Sequence, residues 1–410
     1  MLDIETIKSN GLCSGCGLCA GIRGHHKSAI CMEVSDKGFH RPVATDRICE
    51  TDLRLINQVC PGLNIEHDSP RQAEDYDPIW GPLLKARLGW STDQALRRNA
   101  SSGGALSAIL LHLLESGEID YVLQTAASSQ LPLRNALVTS TGREDVYEAA
   151  GSRYAPSSPL EDIEACLSAP GRFAFVGKPC DVAGLRRLSK FVPSVDQKIP
   201  IMIAFMCAGV PSYRGTSAVL KQMGVADESD VVSFRFRGDG WPGFATAVLS
   251  DGSERRLDYN SSWGAILNRH LQFRCKICPD GTGEFADITC ADGWYLDEAG
   301  RPVFDEREGR SVILTRTEKG EACVLRAISS GHVQAEQVDL ATLKAMQPFQ
   351  ARRKGHVLPR LAAMALVGRK LPRFRGLALR YSLKGLRAKE IVRSFGGTLR
   401  RLLTNRSEQV

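Results

Sequence analysis

Cys13-Ser14-Gly15-Cys16-Gly17-Leu18-Cys19 sets three thiols in successive C-x2-C steps, and a Cys60-Pro61 pair follows much later in the chain. A cubane iron–sulfur cluster needs four thiolates converging from different directions. This spacing lets one tight loop supply three while a distant Cys-Pro supplies the fourth. A local fourth cysteine would fall at position 23, which is Arg23, so the loop has to borrow Cys60. Cys49 opens a second half of the same pattern, but Asp52 and Leu55 stand at its next two steps. The expectation is a single 4Fe-4S cluster here, on Cys13, Cys16, Cys19 and Cys60.

The segment 1–75 therefore reads as a half-degenerate ferredoxin-like module. Four thiolates also suit tetrahedral zinc, although zinc ribbons usually pair two C-x2-C knuckles. A disulfide framework fits less well. Thirteen cysteines, an odd number in 410 residues, and no cleavable apolar N-terminal segment suit reduced thiols in the cytoplasm.

The length accommodates two or three units. From 351 to 410 there are 16 Lys plus Arg against 2 Asp plus Glu, so this segment carries +14 and the remainder of the +7 chain carries −7. Such asymmetry predicts docking on something acidic: the chain's own body, a partner, or an anionic membrane at its inner face. The apolar stretches 361–367 and 377–383, set between arginines, read as short amphipathic helices packing on the body with a solvated basic face. Peripheral lipid contact is the alternative, and neither stretch is long enough to span a bilayer. The arginines are not interleaved with stacking aromatics, so no nucleic acid is expected.

The polar, Pro-containing stretch 67–78 reads as a linker. It separates the first module from a core of 80–340, with 341–410 as a basic helical extension. In the core, apolar runs of strand length at 121–123, 173–176 and 199–205 alternate with helical patterns, which predicts a mixed α/β (or α+β) domain. Asn99-Ala-Ser-Ser-Gly-Gly104 runs into an apolar helix over 105–115. Hydroxyls from Ser101 and Ser102, with Gly103 and Gly104 allowing close backbone approach, suit an anion at a helix start, while N-capping by either serine is the simpler alternative. A second turn, Gly151-Ser152-Arg153-Tyr154, adds a cation and an aromatic. Neither turn is G-x-G-x-x-G, so a Rossmann nicotinamide site is not supported.

Cys180 and Cys207 each follow an expected strand, and Cys275 with Cys278 forms a C-x2-C knuckle. All four can meet at one sheet edge as a second cluster site, though zinc or a redox dithiol also explains a knuckle. Cys31, Cys49, Cys166, Cys290 and Cys323 are read as ordinary thiols.

Taken in order, C-S-G-C-G-L-C, S-S-G-G-A-L, G-S-R-Y, F-V-G-K-P-C, F-M-C-A-G-V-P-S, F-R-G-D-G-W and R-C-K-I-C-P-D with A-D-I-T-C-A-D-G-W resemble the coenzyme F420 hydrogenase/dehydrogenase beta-subunit family. The resemblance implies an FAD near Ser101, Ser102, Gly103, Gly104, Gly151, Ser152, Arg153 and Tyr154. It also implies Lys178 beside the isoalloxazine and cluster cysteines at Cys180, Cys207, Cys275 and Cys278. Ala291 replaces the family's usual glycine and Cys290 an aliphatic residue. Pigment reductases of the family carry G-V-G-C where this chain has Gly177-Lys178-Pro179-Cys180. Members with a basic C-terminal extension resemble those found beside polysaccharide-synthesis enzymes.

The expected function is a flavoenzyme joining two-electron hydride chemistry to one-electron transfer through clusters. Ferredoxin, reduced deazaflavin or another subunit is the expected redox partner, in an oligomer. Lys178 would stabilise negative charge on flavin or substrate, the alternative being a surface lysine beside a turn. Asp280, Asp287 and Asp292 would support the knuckle loop, solvate the surface or steer a partner. The rival classes are a non-catalytic electron-transfer subunit and a zinc-stabilised scaffold.

Overall fold

A computed structural model describes residues 1–22, 29–67 and 76–404. Arg23 and most of the expected linker lie outside the described residues. The centre is an eight-stranded sheet ordered Val333–Gln337, Lys85–Ser91, Ser311–Thr315, Ile288–Asp292, Met202–Phe205, Phe173–Gly177, Tyr121–Ala127, Asn135–Ser140. The strands from Ile288–Asp292 to Tyr121–Ala127 run parallel, and antiparallel neighbours extend both sides.

Parallel strands covered on both faces need apolar residues at successive positions. Phe173–Gly177 is buried throughout. Ala174 and Val176 enter the core on one face, under helices Ala105–Glu115 and Glu318–Ser329, while Phe173 and Phe175 enter the other, under Pro179–Leu188. This alternation follows the period of two along a strand. The sequence expectation of a mixed α/β core therefore holds. A separate three-stranded sheet, Val231–Arg235, Ala245–Leu249 and Glu254–Leu257, carries its own core around Phe234, Phe236 and Ala247.

The first module consists of a hairpin, Ile30–Val34 with His40–Ala44, and helix Glu50–Val59. Its apolar core of Ile4, Ile7, Leu12, Ile56 and Leu63 also takes Phe273 and Ile277, and then Met364 and Leu402 from the basic segment. Strand Arg373–Arg375 pairs with Asn64–Glu66, and helices Val357–Leu366 and Ala388–Leu403 pack on each other. The basic segment is thus built into the body, because its apolar stripes are buried there. Lys389, Arg393 and Arg400 stay exposed on Ala388–Leu403. Among the described residues no helix is long and apolar enough to cross a membrane.

Candidate functional site

Cys13 and Cys16 lie in the opening loop, Cys19 in the short helix Leu18–Gly21, and Cys60 at the C-terminal cap of Glu50–Val59. All four line one cavity with Ile4, Ile7, Met32 and Ile56. The loop turns sharply because Gly15 and Gly17 take φ of 73° and 83°, and a Cβ on Gly17 would stand 2.8 Å from the Glu161 amide. Burial first, then the neighbouring thiols, pushes Cys16 up to about 12 and Cys60 up to about 11, and lifts Cys19 well above its ordinary value. Cys49 stands apart, exposed at the N-cap of Glu50–Val59, where its Sγ accepts from the Asp52 amide.

The second set gathers where adjacent parallel strands end, the edge at which open α/β sheets bind ligands. Phe173–Gly177 leads through Lys178 to Cys180, and Met202–Phe205 leads to Cys207. The knuckle brings Cys275 and Cys278 to them: burial, then Cys275 among its neighbours, pushes Cys207 up to about 12. The Val210 amide donates to Cys275 Sγ at 3.4 Å, and the Arg353 guanidinium donates to the carbonyls of Ala208 and Cys275.

Among the described residues no three His, Cys, Asp or Glu side chains are placed to hold a single metal ion. Four sulfurs on one zinc would stand about 3.8 Å apart, from Zn–S near 2.3 Å. Largely buried all-thiol sets that repel one another when ionised, the first around a cavity, fit a larger cationic inorganic core.

At the expected flavin turns, the Ser101 and Ser152 hydroxyls lie 2.7 Å apart. Ser102 donates to the carbonyls of Ala291 and Arg310, so it does not cap the helix. The N-cap of Ala105–Glu115 is Gly104, φ 71°, with no side-chain cap. Gly103 serves chain packing, not ligand approach: its amide donates to Ser311 Oγ, and a Cβ would stand 2.7 Å from Arg310 Cα. Gly151, φ 120°, has only the Arg237 carbonyl near its Cβ position. Arg153 departs from the expected nucleotide-facing cation. Its guanidinium donates to Asn135 Oδ1 and to the carbonyls of Phe234, Pro132 and Arg134, which spends its donors on holding loops together. The Tyr154 hydroxyl accepts from Arg237.

Lys178 is not a surface residue. It is 7% exposed, with Nζ 2.8 Å from Asp181 and 3.1 Å from Ser157 Oγ. Burial opposes its charge, but Asp181 and Cys180 hold its pKa above the ordinary lysine value. Asp280 accepts from the amides of Gly283 and Glu284, which supports the loop after the knuckle. Asp287 is also buried and takes Arg186 and the Met202 amide, so neither solvates the surface.

Two features escaped the sequence reading. Arg237 and Asp292 form a bidentate pair at 2.9 Å, with Trp241 Nε1 donating to Asp292 and Tyr259 and Trp294 flanking the guanidinium. Their signal was present in F-R-G-D-G-W and A-D-G-W, but no spacing rule joins the two. The other is the stretch 151–160, which joins the serine pair, Lys178 and the first cysteine loop. Ser152 meets Ser101, Ser157 accepts from Lys178, Ser158 donates to the Gly15 carbonyl, and the Leu160 amide donates to the Cys16 carbonyl.

Residues 86–163 match the N-terminal model of the family described as coenzyme F420 hydrogenase/dehydrogenase, beta subunit, and residues 171–341 match the model for the C terminus of the same polypeptide. The coenzyme F420 hydrogenase subunit beta of Methanococcus voltae is 28% identical over 255 residues, covering 61% of this chain and 82% of that protein. The coenzyme F420-dependent sulfite reductase of Methanocaldococcus jannaschii is 24% identical over 332 residues, covering 78% of this chain. The chain spans 46% of that relative's length. Among solved structures, a chain of the F420-reducing NiFe hydrogenase complex from Methanosarcina barkeri shares the fold with a TM-score of 0.54 at 19% identity, over 70% of this chain and 95% of that one. Both halves of the family pattern thus run in order through the central sheet, and the chain belongs to the oxidoreductase-type coenzyme F420 hydrogenase/dehydrogenase beta-subunit family.

Proposed function

We propose that this chain is an FAD-dependent iron–sulfur oxidoreductase that works with another subunit or a small redox partner. The observation that carries the reading is the linkage of the first cysteine loop, a fixed lysine two residues before Cys180 and a hydroxyl pair by the one stretch 151–160. When bound, FAD would supply two-electron hydride chemistry and 4Fe-4S clusters one-electron transfer. Cys13, Cys16, Cys19 and Cys60 would hold one cluster, and Cys180, Cys207, Cys275 and Cys278 the other. Ser101, Ser152 and the uncapped first turn of Ala105–Glu115 offer the hydroxyls and amides that a pyrophosphate takes.

Lys178, clamped by Asp181 and Ser157, presents a positive charge that needs no reorganisation when negative charge develops nearby. Relatives named as hydrogenase beta subunits support a partner subunit. The exposed basic face of Ala388–Leu403 is offered to an acidic surface on that partner.

Anaerobic purification tests the reading. The expected product is yellow-brown, with FAD identified by mass and iron near two cubanes per chain. Reduced deazaflavin, reduced ferredoxin and NADH are then offered in turn. A flavin that no small donor bleaches reassigns the chain as a relay subunit, and colourless protein with stoichiometric zinc overturns the proposal.

A further inference from the structure

We infer that Gln272 and Arg274 are positioning residues that tie the two cysteine sites together, Gln272 through a hydrogen bond to Cys275 and Arg274 through one buried charge shared by both sites. The inference rests on the cluster reading above and concerns two residues to which the sequence motifs assign no role.

Residues 272–274 precede the knuckle, yet each reaches back to the first module. Gln272, 1% exposed, donates from Nε2 to the Ser14 carbonyl at 2.9 Å, inside the Cys13–Cys16 loop, and stands 3.4 Å from Cys275 Sγ. Its Oε1 accepts from Arg41 at 3.0 Å, which fixes the amide orientation so that NH2 faces the sulfur. Phe273 packs among Leu12, Cys13 and Leu63. Arg274, 2% exposed, donates to the Pro61 carbonyl at 2.6 Å, directly after Cys60, while its guanidinium lies 5.2 Å from the Phe374 ring. No carboxylate within salt-bridge distance of Arg274 occurs among the described residues, and its Nε has no hydrogen-bond partner there.

A buried guanidinium without a carboxylate is costly unless negative charge is supplied in another form. Arg274 stands between the two sites by position, bonded to the carbonyl that directly follows Cys60 and set directly before Cys275 in the knuckle. Two anionic thiolate sites would therefore satisfy the cation that the protein leaves uncompensated. Asp181 also lies between the sets, close enough to act on both Cys16 and Cys180, but Lys178 pairs with it. Arg353 acts on the second set alone, from the basic segment. Gln272 thus differs from these neighbours in hydrogen-bonding both sites, and Arg274 in hydrogen-bonding the first site from the position directly before Cys275 of the second.

Donors and cations near cluster sulfurs raise the reduction potential, because they favour the state with the extra electron. The test is a redox titration of the anaerobic full-length holoprotein followed by paramagnetic resonance, with Cys60→Ser identifying the first site's signal. Gln272→Met is expected to lower the second site's midpoint alone, by a tenfold shift in its one-electron equilibrium, about 59 mV. Arg274→Gln is expected to lower both midpoints together, and Arg274→Lys to restore them. A purely structural role would change iron retention or melting temperature and leave the midpoints of the retained clusters in place.

Unchanged midpoints in both variants overturn the inference, as does an Arg274→Gln shift confined to one site. If Gln272→Met loses iron, Gln272→Leu removes the donor without adding charge and is read the same way. A wild-type protein lacking two paramagnetic signals defeats the two-cluster reading instead, and is seen before any variant is made.

Discussion

Lys354→Met removes the ammonium that neutralises Glu284 where the basic segment meets the body. Lys354 is 4% exposed and Glu284 2%. Lys354 Nζ donates to Glu284 Oε1, to the Tyr76 hydroxyl at 3.2 Å and to the Pro78 carbonyl at 3.1 Å. The other Glu284 oxygen accepts from Tyr76 at 2.8 Å and lies 3.0 Å from His67 Nε2. Burial by itself would raise Glu284, but Lys354 and His67 bring it down from 4.5 to about 2.

Stranding one member of a buried pair costs about 3–5 kcal/mol. At an unfolding entropy of about 2.1 cal/mol/K per residue, a chain of 410 residues should melt roughly 4–6 °C lower. Calorimetry on Lys354→Met, Glu284→Gln and the double variant closes a thermodynamic cycle, in which the double variant should recover most of the loss. The acid limb gives a second readout. Glu284 is depressed in the folded state, so its contribution is complete above about pH 4.5 and is lost as pH falls toward 2; Glu284→Gln should flatten that limb. A Lys354→Met melting temperature equal to wild type, or a double variant that loses the sum of both singles, would refute the pairing as what seats the segment.

Cys60→Ser should halve the bound iron while Cys49→Ser leaves it unchanged, by iron analysis; equal losses contradict the geometry of the first set. Ser101→Ala and Ser152→Ala should each weaken FAD retention by about tenfold, the value of one hydrogen bond of about 1.4 kcal/mol, read by dialysis and fluorescence. Deleting 351–410 cannot test lipid contact, because it strips Met364 and Leu402 from the core of the first module. Reversing Lys389, Arg393 and Arg400 to Glu leaves that core intact and should abolish any co-sedimentation with anionic vesicles; sedimentation that persists rules out this face as the lipid contact.

Local chemistry was legible because it is written at short range. The C-x2-C-x2-C loop, the Cys-Pro, the strand ending at Gly177 and the helix after Gly104 each follow from neighbours a few residues apart. Roles that depend on distant partners were not legible. Arg153 looked like an open cation until Asn135 and three carbonyls took its donors. Gly103 looked like a ligand contact until the Arg310 backbone filled the space beside it.

The order of motifs and the spacing of cysteines determined the family and the mixed α/β class. Only tertiary structure decided that the +14 segment is part of the fold, that Lys178 is buried, and that residues 272–274 stand between the two cysteine sets. Spacing along a chain reports on one turn or one strand at a time, whereas burial and charge pairing depend on which separate segments the packed core brings into contact.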